Sequence, residues 1–86
     1  MSRYEFSLLQ EVLMEKGAGV LGDLSQYKRQ NGIVDRRHPV SILYSIVWNA
    51  KQDILFAKTK EKLDQIDGKF DLAKQFLVTS EGAPNA

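Results

Sequence analysis

The one histidine of this chain, His38, directly follows Arg36 and Arg37. Lys28 and Arg29 lie in the same eleven-residue window, opposed only by Asp35. Pro39 comes next and suits the first position of a helix. A helix N-terminus offers free N–H groups and a partial positive charge, so guanidinium groups beside it can grip an anion. That anion would be a phosphate or the carboxylates of an acidic partner. Lys28, Arg29, Arg36, Arg37 and His38 are therefore the candidate anion- or partner-binding residues. The competing view is a solvated loop, with Arg36 or Arg37 paired to Asp35 or to acids of the first helix.

Other chemistry is thin. The absence of cysteine excludes a disulfide scaffold, thiolate metal sites and a cysteine nucleophile. A single histidine excludes metal sites built on two or three histidines. A serine triad would need His38 as its base, and no Gly-x-Ser-x-Gly elbow is present to offer the serine. Asp64 and Asp67 stand three apart on a helix, as solvated acids commonly do. Gly17-Ala18-Gly19-Val20-Leu21-Gly22 has the spacing of a dinucleotide fingerprint, but it follows a helix rather than a strand, in a chain too short for a βαβ unit. It reads instead as a helix–helix connection. No catalytic residue, metal or cofactor is assigned.

The elements that must position the basic segment are helical. Ser2-Arg3-Tyr4-Glu5 forms a capping box, and Phe6, Leu9, Val12 and Leu13 follow at helical spacing. The first helix is expected over about 3–16, ended by Gly17-Ala18-Gly19, with a second over about 20–30 that stops at Asn31-Gly32. Ile33–His38 is a loop. From Pro39 the sequence PVSILYSIVWNAKQDIL is apolar around most of a helical circumference. Ser41, Ser45, Asn49 and Gln52 make one narrow polar stripe. A strand is the alternative for its β-branched content, but period two leaves one face only half polar, whereas period 3.6 groups the stripe cleanly.

Beyond this stretch Phe56, Thr59, Leu63, Ile66, Phe70, Ala73 and Leu77 continue in steps of three and four, as in a coiled-coil seam. The third helix is therefore expected to run from Pro39 to about Asp67, or through Gly68 to Val78. Even the shorter version is about 42 Å long, against a diameter of roughly 30 Å for a compact chain of this size. It should overhang its own domain. Either the chain folds back near Gly68 or a partner covers the overhang. Tyr44, Val47, Trp48, Phe56, Leu63 and Ile66 are the expected interface residues.

The whole is expected to be an all-α bundle of three or four helices, residues 1–79, with a flexible tail over 80–86, and to form a homodimer. With 86 residues and a formal net charge of +1, a general polyanion binder is disfavoured. A helix-turn-helix is disfavoured too, because the short second helix lacks a basic exposed face. Glu5, Glu11 and Glu15 interrupt any signal peptide. The apolar run Val40–Ala50 is shorter than the roughly 20 residues a bilayer needs. A cytoplasmic setting is expected. The functional expectation is a non-enzymatic protein-binding module: a small regulator, inhibitor or assembly adaptor acting through its long apolar helix. The alternatives are nucleic-acid or nucleotide-phosphate binding through Lys28–His38, and an enzyme of unassigned reaction.

Overall fold

The computed structural model describes residues 1–82. They form three helices: α1 over Arg3–Gln30, α2 over Pro39–Asp53 and α3 over Lys60–Gly82, with a single 3-10 turn at Ile54–Phe56 between the last two. No strand occurs among the described residues. The all-α class expected from the sequence is the one observed.

The first helix starts as its capping box dictates. The Ser2 hydroxyl oxygen accepts from the Glu5 N–H at 3.1 Å, and Ser2 Oγ donates to Glu5 Oε1 at 3.2 Å. It does not stop at Gly17. The two helices expected over 3–16 and 20–30 are one element of 28 residues, about 42 Å long. Glycine in a helix interior costs roughly 1 kcal/mol against alanine. Burial along one face outweighs that cost, because Leu13, Gly17, Val20, Leu21 and Leu24 are all buried. Gly17 is required. A Cβ there would lie 2.8 Å from Phe70 Cζ, so the ring of α3 rests on bare backbone. Termination at Asn31-Gly32 follows the sequence. The Asn31 amide N–H and Nδ2 both donate to the Tyr27 carbonyl, and Gly32 takes a φ of +62°.

The long third helix is the larger correction. It ends at Asp53, well before Asp67. The chain turns at Ile54–Phe56, becomes extended at Ala57 and restarts at Lys60. Two side chains fix this reversal. Gln10 Nε2 donates to the Ile54 carbonyl at 2.9 Å, and Thr59 Oγ1 accepts from the Lys62 N–H at 3.1 Å. Thr59, counted as a seam position from its spacing, is in fact the cap of α3. Gly68 lies inside α3 and does not break it, because the seam on either side is buried in the bundle.

The pairing directions follow from contacts. Gln10 meets Ile54 and Lys28 meets Tyr44, so α2 runs antiparallel to α1. Lys16 meets Asp67, and Tyr27 packs edge-on against Phe76 at 5.8 Å between centroids, so α3 runs parallel to α1. The core lies where the three meet. Leu24, Val40, Val47, Ala50, Ile54, Leu63, Ile66, Phe70 and Ala73 are wholly shielded. The rod measures 49 × 23 × 17 Å. The expected tail begins at Ser80, in the last turns of α3, and residues 83–86 lie outside the described residues.

Candidate functional site

The basic segment sits at one end of the rod, where α1 finishes and α2 begins. His38 is the N-cap of α2. Its Nδ1 accepts from the Val40 N–H at 3.1 Å, and its carbonyl accepts from Ser41 and Ile42. The ring is thus engaged in holding the helix start. Asp35 is engaged as well: Oδ1 accepts from the Arg37 N–H at 2.9 Å, and its carbonyl accepts from the buried Ser41 hydroxyl at 2.8 Å. Lys28 Nζ lies 5.5 Å from the centroid of the Tyr44 ring. Arg29, Arg36 and Arg37 are exposed. Among the described residues none of the three makes an ion pair, since the pairs present involve only Lys16 and Lys60. The structure therefore brings the five candidates to one end, but gives His38 and Lys28 local partners.

The expected interface residues separate into two groups. Val47, Leu63 and Ile66 are fully buried in the chain's own core and offer nothing to a second molecule in this fold. Their apolar spacing is satisfied because α3 folds back beside α1. Trp48 is 48% exposed and Phe56 79%, while Tyr44 is half-buried. Ser45, Asn49 and Gln52 face outward as the polar stripe required, but Ser41 does not. Trp48 lies beside that stripe, outside the core. The outer face of α2, made by Ile42, Ser45, Trp48, Asn49 and Gln52, carries no charge.

The opposite end of the rod holds what the sequence left unnoticed. Tyr4, Leu8 and Val12 are exposed. They recur every fourth residue, and so line one face of α1 away from its buried stripe. Spacing alone groups Val12 with Phe6, Leu9 and Leu13. Leu55 and Phe56 project from the 3-10 turn at this same end. Leu55 helps line a shallow hollow with Ser7, Gln10, Glu11, Met14 and Glu15. Among the described residues, the exposed large apolar side chains Tyr4, Leu8 and Val12 of α1 and Leu55 and Phe56 of the turn lie toward this end of the rod. Glu11 and Glu15 border them, both exposed.

Midway along the rod, Lys16 joins α1 to α3. Its Nζ reaches Asp67 Oδ1 at 2.5 Å and Asp71 Oδ1 at 2.6 Å. Its pKa is raised above 10.5, first by the Asp67 hydrogen bond and then by that of Asp71. Among the described residues no cluster of His, Asp or Glu could hold a metal ion. None of the helices described is long and apolar enough to cross a membrane.

A small helical rod with exposed aromatic and aliphatic side chains is suited to binding another protein. No curated protein and no solved structure matches the chain. The family model for the bacterial epsilon antitoxin does match it, over residues 2–80. That span covers all of α1 and α2 and nearly all of α3, so the chain belongs to the bacterial epsilon antitoxin family.

Proposed function

We propose that this protein neutralises a toxin protein by binding it, without catalysis of its own, and that the toxin docks on the apolar end of the rod. The observation that carries the docking surface is the exposure of Tyr4, Leu8 and Val12 on one face of α1 and of Leu55 and Phe56 on the 3-10 turn at the same end. Exposed aromatic and aliphatic side chains grouped in this way are typical anchors of protein interfaces. Glu11 and Glu15 beside them suit a toxin surface that is apolar with a basic margin.

Co-expression of the chain with its toxin tests this. Leu8→Glu combined with Phe56→Ser should abolish both the isolable complex and growth protection while leaving helicity unchanged. Leu72→Glu, on the far face of α3, should leave both intact. Loss of the complex with the α3 variant alone would move the docking surface to α3.

The uncharged outer face of α2 supports a second element of the proposal, a homodimer formed through Trp48 and its neighbours. A face without charge from Ile42 to Gln52 stands out in a chain that is 27% charged, and Ser45 and Asn49 could hydrogen-bond across a two-fold axis. Light scattering should report twice the chain mass for the wild type and the monomer mass for Trp48→Glu. A monomeric wild type at all accessible concentrations would remove the dimer and leave toxin docking untouched.

A further inference from the structure

The two halves of α1 are held to the bundle very differently. Of residues 3–16 only Leu13 is fully buried, whereas Gly17, Val20, Leu21 and Leu24 are buried in the second half. The halves meet at three glycines. Gly17 is needed for the Phe70 ring, but a Cβ at Gly19 or Gly22 would meet nothing within 4 Å. Packing within the bundle therefore asks for neither glycine. Each leaves the helix roughly fivefold less favourable locally than alanine would. Lys16 stands at this junction with its ammonium on Asp67 and Asp71.

We propose that residues 3–16 form an arm that opens from the bundle as a unit, with the helix giving way across Gly17–Gly22 and Lys16 acting as the latch. Proteins open sub-globally where buried apolar contacts are fewest. This arm has one fully buried side chain and is followed by a segment with three glycines in six residues, of low intrinsic helix propensity. Its significance rests on the docking proposal above, since Tyr4, Leu8 and Val12 ride on it, and opening would also release Phe6 and Leu9 to a partner. The opening itself is a property of the free protein.

Native-state amide hydrogen exchange on the free, full-length chain tests it. Amides of residues 8–16 should share a single opening free energy and exchange at least tenfold faster than the slowest amides of α3. Val40→Ala, in the core at the other end of the rod, should accelerate the slow amides of α2 and α3 and leave residues 8–16 unchanged. Lys16→Met should accelerate residues 8–16 severalfold, and Gly19→Ala with Gly22→Ala should slow them roughly twentyfold. Two results would overturn the proposal. One is acceleration of residues 8–16 by Val40→Ala to the same degree as the core. The other is a smooth gradient of rates from Arg3 inward, which is end fraying. No toxin is present in these measurements, so toxin docking at another surface would leave their outcome unchanged.

Discussion

Phe70 and Phe56 are the same side chain in opposite settings, fourteen residues apart. Phe70 is fully buried, its ring seated against the backbone of Gly17. Phe56 is 79% exposed on the turn between α2 and α3. Both fall on one apolar repeat in the sequence. The difference arises because the chain reverses at Ala57–Thr59, which leaves Phe56 on the outside of the bend and carries Phe70 into the groove beside α1. Apolar spacing selects residues that want a partner; the position of the bend decides whether the partner is this chain or another. The two phenylalanines thus mark the division between what folds the protein and what remains available for binding.

The comparison is broken most directly by truncating each ring. Phe70→Ala should cost about 3–5 kcal/mol in a denaturant melt, a large share of the stability of so small a domain. Phe56→Ala should stay within about 0.5 kcal/mol yet weaken toxin binding tenfold or more in a titration. Equal destabilisation by both would mean that Phe56 is part of the core.

The seat of Phe70 is tested next. Gly17→Ala places a methyl group against the ring and should cost about 1–3 kcal/mol, reduced by the roughly 1 kcal/mol gain in helix propensity. Gly19→Ala, two residues away in open space, should be stabilising. Thermal melts that give the two substitutions the same sign would remove the close approach of α1 to α3.

A smaller effect is expected at Lys16. Its pKa is raised in the folded chain, first by Asp67 and then by Asp71. A raised pKa contributes stability that is fully present below the unfolded value of 10.5 and is lost as pH rises through the folded value. The stability difference between wild type and Lys16→Met should therefore be constant near neutrality, within about 1 kcal/mol, and shrink above pH 10.5. A difference that grows with pH would contradict the pairing. Smallest of all, Arg36→Ala with Arg37→Ala should leave the fold within about 1 kcal/mol, because exposed charges contribute little. A fall in toxin affinity in that variant would add the basic end to the docking surface.

Much of the architecture was legible in the residues. The Ser2 cap, the Asn31-Gly32 stop, the Pro39 start and the outward stripe of Ser45, Asn49 and Gln52 each rest on local chemistry that a sequence carries openly. What was not legible depended on contacts made from afar. Gly17 looks like a helix breaker until Phe70 is placed over it. Thr59 looks like a seam residue until Gln10 closes the preceding turn at Ile54. Apolarity alone selects Trp48 and Phe56, which the fold leaves exposed. Val47, Leu63 and Ile66 answer to the same signal, and only the fold-back separates them. Tyr4, Leu8 and Val12 were visible as an every-fourth-residue repeat, but it was masked by the interleaved buried set.

The parallel pairing of α1 with α3 also has a consequence for biosynthesis. Lys16 finds Asp67 and Asp71 only 51 and 55 positions further along the chain, and Phe70 covers Gly17 from a comparable distance. Chains emerge N-terminus first at about 5–20 residues per second. For several seconds the earliest-made helix therefore has no third wall to lie against. A nascent chain cut short before α3 would carry the exposed apolar end of α1 without the groove that steadies it. Completion of the last helix is the moment at which the molecule becomes a rod, and a frameshift or stop codon after Thr59 should yield a chain that is helical in part but holds no fixed shape.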